Sequence, residues 1–205
     1  MRFMITKDEL ASRLLSACAE VKAAEGELTE IDSRFGDADH GLTMCKIATA
    51  IEESVRESEG GIQAMLDDVA MAVMTLNGGS AVPLWNTWLD GLQEAAPEVN
   101  EADSEDLKAM FANALAELSD ISGAQVGDKT LMDAFVPAIE AIQACEGNEA
   151  ALFEAAAQAA LTGAERSKDF PSKFGRAKSY GEKTIGTPDA GAVSMACFFK
   201  GLAQA

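Results

Sequence analysis

Along most of the chain, apolar residues recur three and four positions apart, the spacing of one face of an α-helix rather than the alternation of a strand. Leu10, Leu14, Cys18 and Val21 form the first such stripe, and Thr6 followed by Glu9 sets a capping-box pattern ahead of it. This first helix is expected to end before Gly36. Cys45, Ala48, Ile51 and Val55 predict a second helix over about 42–58, closed by Gly60 and Gly61. A third stripe runs through Ile62, Met65, Leu66, Val69, Val73 and Met74. It ends at "NGGSAVP", where paired glycines and Pro83 predict a turn. Leu84, Trp88 and Leu92 mark a fourth helix.

Ser104, with Glu105 and Asp106 in the first turn, opens a fifth segment carrying Leu107, Phe111, Leu115 and Leu118, which stops at Gly123. Further helices are expected over about 130–145, over 148–166 with Asn148 as cap, and from Asp189 towards the C-terminus. Abundant alanine and scarce β-branched runs agree with helix. The expected fold is therefore all-α: eight antiparallel helices in one bundle or barrel, a single domain over residues 1–205. Trp85, Trp88 and the methionines and phenylalanines at helical spacing are expected in its core.

Composition narrows what such a bundle can do. Among 205 residues, 34 acidic side chains oppose 16 basic ones, a net charge of -18, which argues against binding driven by attraction to nucleic acid or an anionic membrane. A polyanionic ligand would need metal ions or a local basic patch. Cys18, Cys45, Cys145 and Cys197 lie far apart with no C-x-x-C, and read as reduced core thiols. Charges interrupt the N-terminal stretch "MRFMITKDELASRLL", and no apolar run reaches membrane-spanning length, so a soluble cytoplasmic protein is expected.

Two stretches break the helical pattern. "DSRFGDADHGLTM" holds Asp32, Asp37 and Asp39, with Gly36 and Gly41 bracketing the last two. A solvated helix terminus is one reading. The other is a tight interhelical loop whose carboxylates hold Mg2+ or Ca2+. An EF-hand is excluded, because Gly41 and Ala48 occupy the fifth and twelfth places counted from Asp37. His40, the only histidine, is compatible with an ordinary half-buried side chain or with a hydrogen bond to a carboxylate or phosphate.

The second break, "SKDFPSKFGRAKSYGEKTIGTPDAG", is long for a loop inside a compact fold. Arg166, Lys168, Lys173, Arg176, Lys178 and Lys183 bring six of the sixteen basic residues to it. It reads either as a solvated mobile loop or as a segment that approaches an anionic ligand. The turns "NGGSAVP" and "GAQVGDKT" read as plain interhelical turns or as anion-binding helix starts. The latter is not a P-loop: Asp128 separates Gly127 from Lys129, the spacing from Gly123 is short, and a helix precedes it.

In order along the chain, "IDSRFGDADHGLTM", "NGGSAVPLW", "GDKTLMDAFVPAIEAI" and "GRAKSYGEKTIGTPDAGA" resemble the L subunit, or C-terminal nucleotide-binding domain, of dihydroxyacetone kinases. The resemblance implies a barrel of eight antiparallel helices with a nucleotide, ADP or ATP, in a pocket at one end and two Mg2+ ions held by aspartates. Carried over, Asp32, Asp37 and Asp39 correspond to the metal ligands. His40, Gly41, Leu42, Thr43, Ser80, Ala81, Gly123, Leu131, Arg176 and Asp189 correspond to nucleotide contacts. This chain departs from the family at "GGSAVP", where relatives commonly read "GGASGP", and at Thr43 and Ala190, where asparagine and proline are common. His40 favours the ketose-kinase branch over the fatty-acid kinase relatives, which usually carry threonine there.

The implied function is the nucleotide subunit of a two-component kinase for dihydroxyacetone or a related short-chain ketose. A separate K subunit would hold the sugar, and the phosphoryl group would come from ATP or from a bound ADP recharged by a phosphotransferase-system M subunit. The alternatives are a non-catalytic nucleotide-binding regulator and a Ca2+-binding helical module.

Overall fold

The computed structural model describes residues 4–205; the first three residues of the N-terminal stretch read above lie outside them. Thr6 caps α1 (Lys7–Ala23) through the expected reciprocal box: its hydroxyl accepts from the Glu9 amide at 3.2 Å, and the Glu9 carboxylate accepts from the Thr6 amide at 2.8 Å. The expected first helix is bent at Ala24, where ψ of 0° leaves the helical region, and resumes as α2 (Glu25–Ser33). Then follow α3 (His40–Glu57), α4 (Ile62–Met74), α5 (Ala81–Glu94) and α6 (Ser104–Ser122). The chain ends with α7 (Met132–Ala144), α8 (Glu149–Arg166) and α9 (Ala190–Gln204). The fold class is all-α, as expected.

Each of α3 to α9 packs on the next, and α9 packs on α1, which packs on α3; the helices close into a ring, with α2 laid across α3 and α9. Two close approaches permit closure. A Cβ on Gly201 would lie 2.3 Å from the Ala17 Cα, and one on Gly163 would lie 2.0 Å from the Asp133 carbonyl oxygen. The second contact uses an irregularity. Pro137 inside α7 has no N–H to return to the Asp133 carbonyl, and α8 presses its smallest residue against that oxygen.

The barrel interior is aromatic. Trp85 and Trp88 of α5 stack edgewise on Phe198 of α9, each with ring centroids 5.3 Å apart, and Phe135 and Phe199 extend the cluster. Burial of such rings supplies the main driving force for closing the helices on one another. The cysteines are free among the described residues; Cys18 is buried and the other three half-buried. Burial pushes the Cys18 thiol up to about 12, so it stays protonated.

Three local features differ from expectation. Asp103, not Ser104, caps α6, accepting from the Glu105 and Asp106 amides at 2.9 and 3.0 Å. Pro83 lies within the first turn of α5 rather than in the turn before it; there its missing N–H has no intrahelical acceptor to lose. A short antiparallel ribbon, β1 (Met4–Thr6) with β2 (Glu101–Asp103), pairs Ile5 with Ala102, both buried.

Candidate functional site

At one end of the barrel a cleft of about 510 Å3 opens between the α2–α3 bend, the start of α5, the α6–α7 turn and the segment joining α8 to α9. Its size lies in the range of small-molecule sites.

The α2–α3 bend forms one wall. Asp32, near the end of α2, turns its carboxylate back into the loop, where Oδ2 accepts from the Asp39 amide at 3.0 Å and the His40 amide at 3.3 Å. Gly36 makes this possible: a Cβ there would sit 2.0 Å from Asp32 Oδ1. Ala38 takes a φ of +61°, a conformation costly for any residue but glycine, so the loop is held in a strained turn. Asp39 precedes α3 as its N-cap, yet its side chain caps no amide of the helix. As a result Asp32, Asp37 and Asp39 each place a carboxylate oxygen within 4.8 Å of the others. Three carboxylates this close repel one another in the absence of a cation, and all-oxygen donors suit a hard divalent ion such as Mg2+.

His40 opens α3. Its Nε2 lies 3.1 Å from Ser194 Oγ of α9, and the Ser194 hydroxyl proton goes to the Gly191 carbonyl, so Nε2 is the donor of the pair. Burial lowers the imidazole below its ordinary value, against the raising effect of Asp32 and Asp39. The ring is thus a neutral strut between α3 and α9.

A strap, residues 167–189, forms the opposite wall. It carries 3-10 stretches at Ser167–Asp169 and Arg176–Thr184, kinked at Gly181 with φ of +50°. Of its basic residues, Arg176 reaches the cleft, where Nη2 pairs with Asp37 Oδ2 at 2.7 Å. Lys168 pairs with Glu165 instead, and Lys173 with Asp128 at 2.6 Å. The basic cluster is therefore not a shared phosphate cradle. Asp189, half-buried at the end of the strap, caps α9 by accepting from the Ala192 amide at 2.8 Å. Burial raises its carboxyl to about 7, opposed by that hydrogen bond and by Lys129.

The residues singled out in the sequence come together here with three exceptions. Asp32, Asp37, Asp39, His40 and Thr43 line the cleft from the bend, Ser80 and Ala81 from the start of α5, Leu131 from the turn before α7, and Arg176 and Asp189 from the strap. Gly41, Leu42 and Gly123 do not line it. Gly41 is a packing residue, since a Cβ would fall 2.3 Å from both the Glu25 carbonyl and Thr29 Oγ1 of α2. Leu42 is exposed, and Gly123 terminates α6 with φ of +62° in open space.

Sequence reasoning passed over Lys129, Phe35 and Phe174, all of which line the cleft. Phe35 leans on Tyr180 of the strap with ring centroids 5.2 Å apart. No helix among the described residues is long and apolar enough to cross a membrane.

The closed helical ring has an end-opening cleft with clustered carboxylates on one lip and an arginine on the other, and a family model described as the DAK2 domain matches residues 34–204; the chain belongs to that family. This agrees with the resemblance to dihydroxyacetone kinase L subunits drawn from the sequence. Among its relatives, the PEP-dependent dihydroxyacetone kinase, ADP-binding subunit DhaL, of Escherichia coli is 31% identical over 196 residues, 93% of each chain. The D-erythrulose kinase of Mycolicibacterium smegmatis is 36% identical over 91% of this chain. The chain spans about a third of that relative's length. The solved dihydroxyacetone kinase from C. freundii in complex with AMP-PNP and Mg2+ superimposes with a TM-score of 0.72 at 25% identity, over 95% of this chain and 33% of that one.

Proposed function

We propose that residues 1–205 act as one cytoplasmic nucleotide- and Mg2+-binding domain, the phosphoryl-donor half of a two-component kinase for dihydroxyacetone or a related short-chain ketose. The observation that carries this reading is the convergence of Asp32, Asp37 and Asp39 within 4.8 Å at the mouth of the cleft, facing Arg176. The names of its relatives, an ADP-binding subunit and an erythrulose kinase among them, support the same class of reaction.

Bound magnesium, one ion or two, would neutralise the charge of the di- or triphosphate of ADP or ATP. The chain's own residues do the rest. Asp32 fixes the loop by accepting two of its amides, while Asp37 and Asp39 offer carboxylates to cation. Ser80 and Ala81 bring the start of α5, whose first amides have no intrahelical acceptor, to the cleft wall where a phosphate is received. Leu131 gives an apolar surface for the base, and Arg176 supplies a positive charge for the transferring group.

The ketose would be held by a separate K subunit docked over the open end, where Phe35, Phe174 and Tyr180 surround the mouth with aromatic surface. The donor is either free ATP or an ADP that stays bound and is recharged by a phosphotransferase-system M subunit. Nucleotide retained through purification, with no exchange against labelled ATP, would identify the second route.

The test is a coupled assay with the K subunit of a two-component dihydroxyacetone kinase. Turnover that requires both chains and is lost in Asp37→Ala supports the proposal. Binding to the K subunit without turnover would instead make the chain a regulator. Calcium binding with no nucleotide binding would make it a metal module.

A further inference from the structure

The lysine of "GAQVGDKT" has no role in the reading above, yet it is among the most constrained side chains of the molecule. Lys129 is 4% exposed and holds a φ of +61°. Its ammonium donates to three backbone carbonyls: Ser167 at 2.8 Å, Phe170 at 3.1 Å and Thr187 at 2.5 Å. These belong to the two ends of the strap, which leave α8 and enter α9 at neighbouring points. The Asp189 amide donates to Ser167 Oγ at 2.8 Å, and the Gly186 amide to the Lys168 carbonyl at 2.8 Å. The strap is thus an Ω-like loop whose neck is filled by a cation from a different turn.

A lysine ammonium has three donors, and all three are taken. Lys129 therefore has none left for a phosphate, although it lines the cleft. Its own turn is fixed from below. The Asp133 carboxylate, buried in α7, accepts from the Gly127 amide at 2.6 Å and the Thr130 amide at 2.7 Å, on either side of Lys129.

We propose that Lys129 is a positioning residue that clamps the neck of the strap, and through it sets Arg176 against the aspartate bend and Asp189 at the start of α9 before any nucleotide arrives. The proposal rests on the nucleotide-binding reading for its consequence, but the clamp itself is a property of the free chain. The outer tie between Asp128 and Lys173 joins the same two segments at the surface, where solvent screens it. The clamp at the neck is buried, and the ordering of the strap depends on it.

Hydrogen exchange of the free chain tests the clamp. In the wild type, the amides of Lys173, Gly186 and Asp189, which are hydrogen-bonded within or to the strap, are protected. In Lys129→Met they exchange about tenfold faster or more, as expected for removal of a buried charged donor, while α3 to α5 keep their protection. ADP affinity in the presence of Mg2+, read by calorimetry, falls in parallel. Lys129→Arg does not rescue either readout, because a planar fork cannot aim at three carbonyls that converge on one point.

Unchanged exchange in Lys129→Met would overturn the proposal, as would unprotected strap amides in the wild type, a measurement that holds even if the variant fails to fold. Recovery of ADP affinity in Lys129→Arg would overturn it too, by showing that charge towards phosphate is what matters. If the wild type itself bound no ADP with Mg2+, the kinase reading would fail while the exchange result still decided the clamp. If the wild type bound ADP and Lys129→Met bound it equally, the positioning role alone would fail.

Discussion

Arg176 and Asp37 meet across the mouth of the cleft at 2.7 Å, joining the strap to the aspartate bend through a pair that is largely open to water. A pair so exposed contributes little to stability, at most about 1 kcal/mol. Its consequence would lie in ligand binding, because a divalent cation held by the bend and the guanidinium would compete for one carboxylate. Arg176→Gln is expected to leave the melting temperature unchanged and to tighten Mg2+ binding in the absence of nucleotide. It should also weaken ADP binding about tenfold through loss of a charge-assisted contact. Calorimetry with Mg2+ and ADP, separately and together, reads both effects.

The three aspartates are predicted to separate by role. Asp37→Ala removes a proposed ligand whose carboxylate accepts from no amide of the bend, so metal and nucleotide binding should fall with little change in stability. Asp32→Ala also releases the Asp39 and His40 amides, and stability should drop by about 1–3 kcal/mol. Thermal denaturation of the two variants beside wild type makes the comparison.

Two glycines carried over as nucleotide contacts should behave unlike contacts. Gly41→Ala forces a methyl group against α2 and is expected to cost about 1–3 kcal/mol, weakening metal binding through displacement of α3. Gly123→Ala meets no atom and adds only the strain of its positive φ, about 1 kcal/mol, with ADP affinity unchanged. A tenfold loss of ADP affinity in Gly123→Ala with intact stability would restore it to the site.

Asp189 gives the fold a pH dependence of defined sign. Its carboxyl is raised to about 7 in the folded chain from 3.8, chiefly by burial, so between these values the folded state holds more proton than the unfolded state. The contribution to stability is complete below the lower value and is lost as pH rises towards 7. Asp189→Asn, neutral throughout and still able to cap the Ala192 amide, should flatten the profile, gaining on the order of 1 kcal/mol at pH 8 relative to the wild type. Denaturant titrations at pH 4, 6 and 8 would reverse this conclusion if the variant lost stability on the alkaline side.

The aromatic rim is predicted to serve the partner rather than the nucleotide. Phe35→Ser and Tyr180→Ser should each weaken association with a K subunit about tenfold while ADP affinity stays within a factor of two or so. Titration of the two chains in the presence of saturating ADP checks the first claim, and calorimetry on the single chain the second.

What could be read from the sequence was what is local along the chain. The Thr6 to Glu9 box and the Asn148 cap each involve residues three apart, and both form as expected. The aspartates of the bend were visible for the same reason. The break at Ala24 was not, since the glycine nearest to it, Gly26, lies inside α2 rather than at the bend. A three-residue ribbon is too short for alternation to register, and Asp103 was passed over in favour of the serine one place later, which is the first residue of α6. Lys129 illustrates the general limit. Its carbonyl partners lie 38 to 58 residues further on, and main-chain carbonyls carry no side-chain signature. The basic segment left two readings open for a converse reason: six charges close in sequence do not face one point in space, and Arg176 alone among them reaches the cleft.

Ring closure by α9 on α1 ties the interior of the barrel to the cleft. The helix that shuts the barrel also bears the carboxyl cap at its start and the serine that receives the histidine of the bend. A chain without residues 190–204 has an open interior and an unfinished cleft together. Closure of the hydrophobic interior and completion of the cleft therefore depend on one and the same helix.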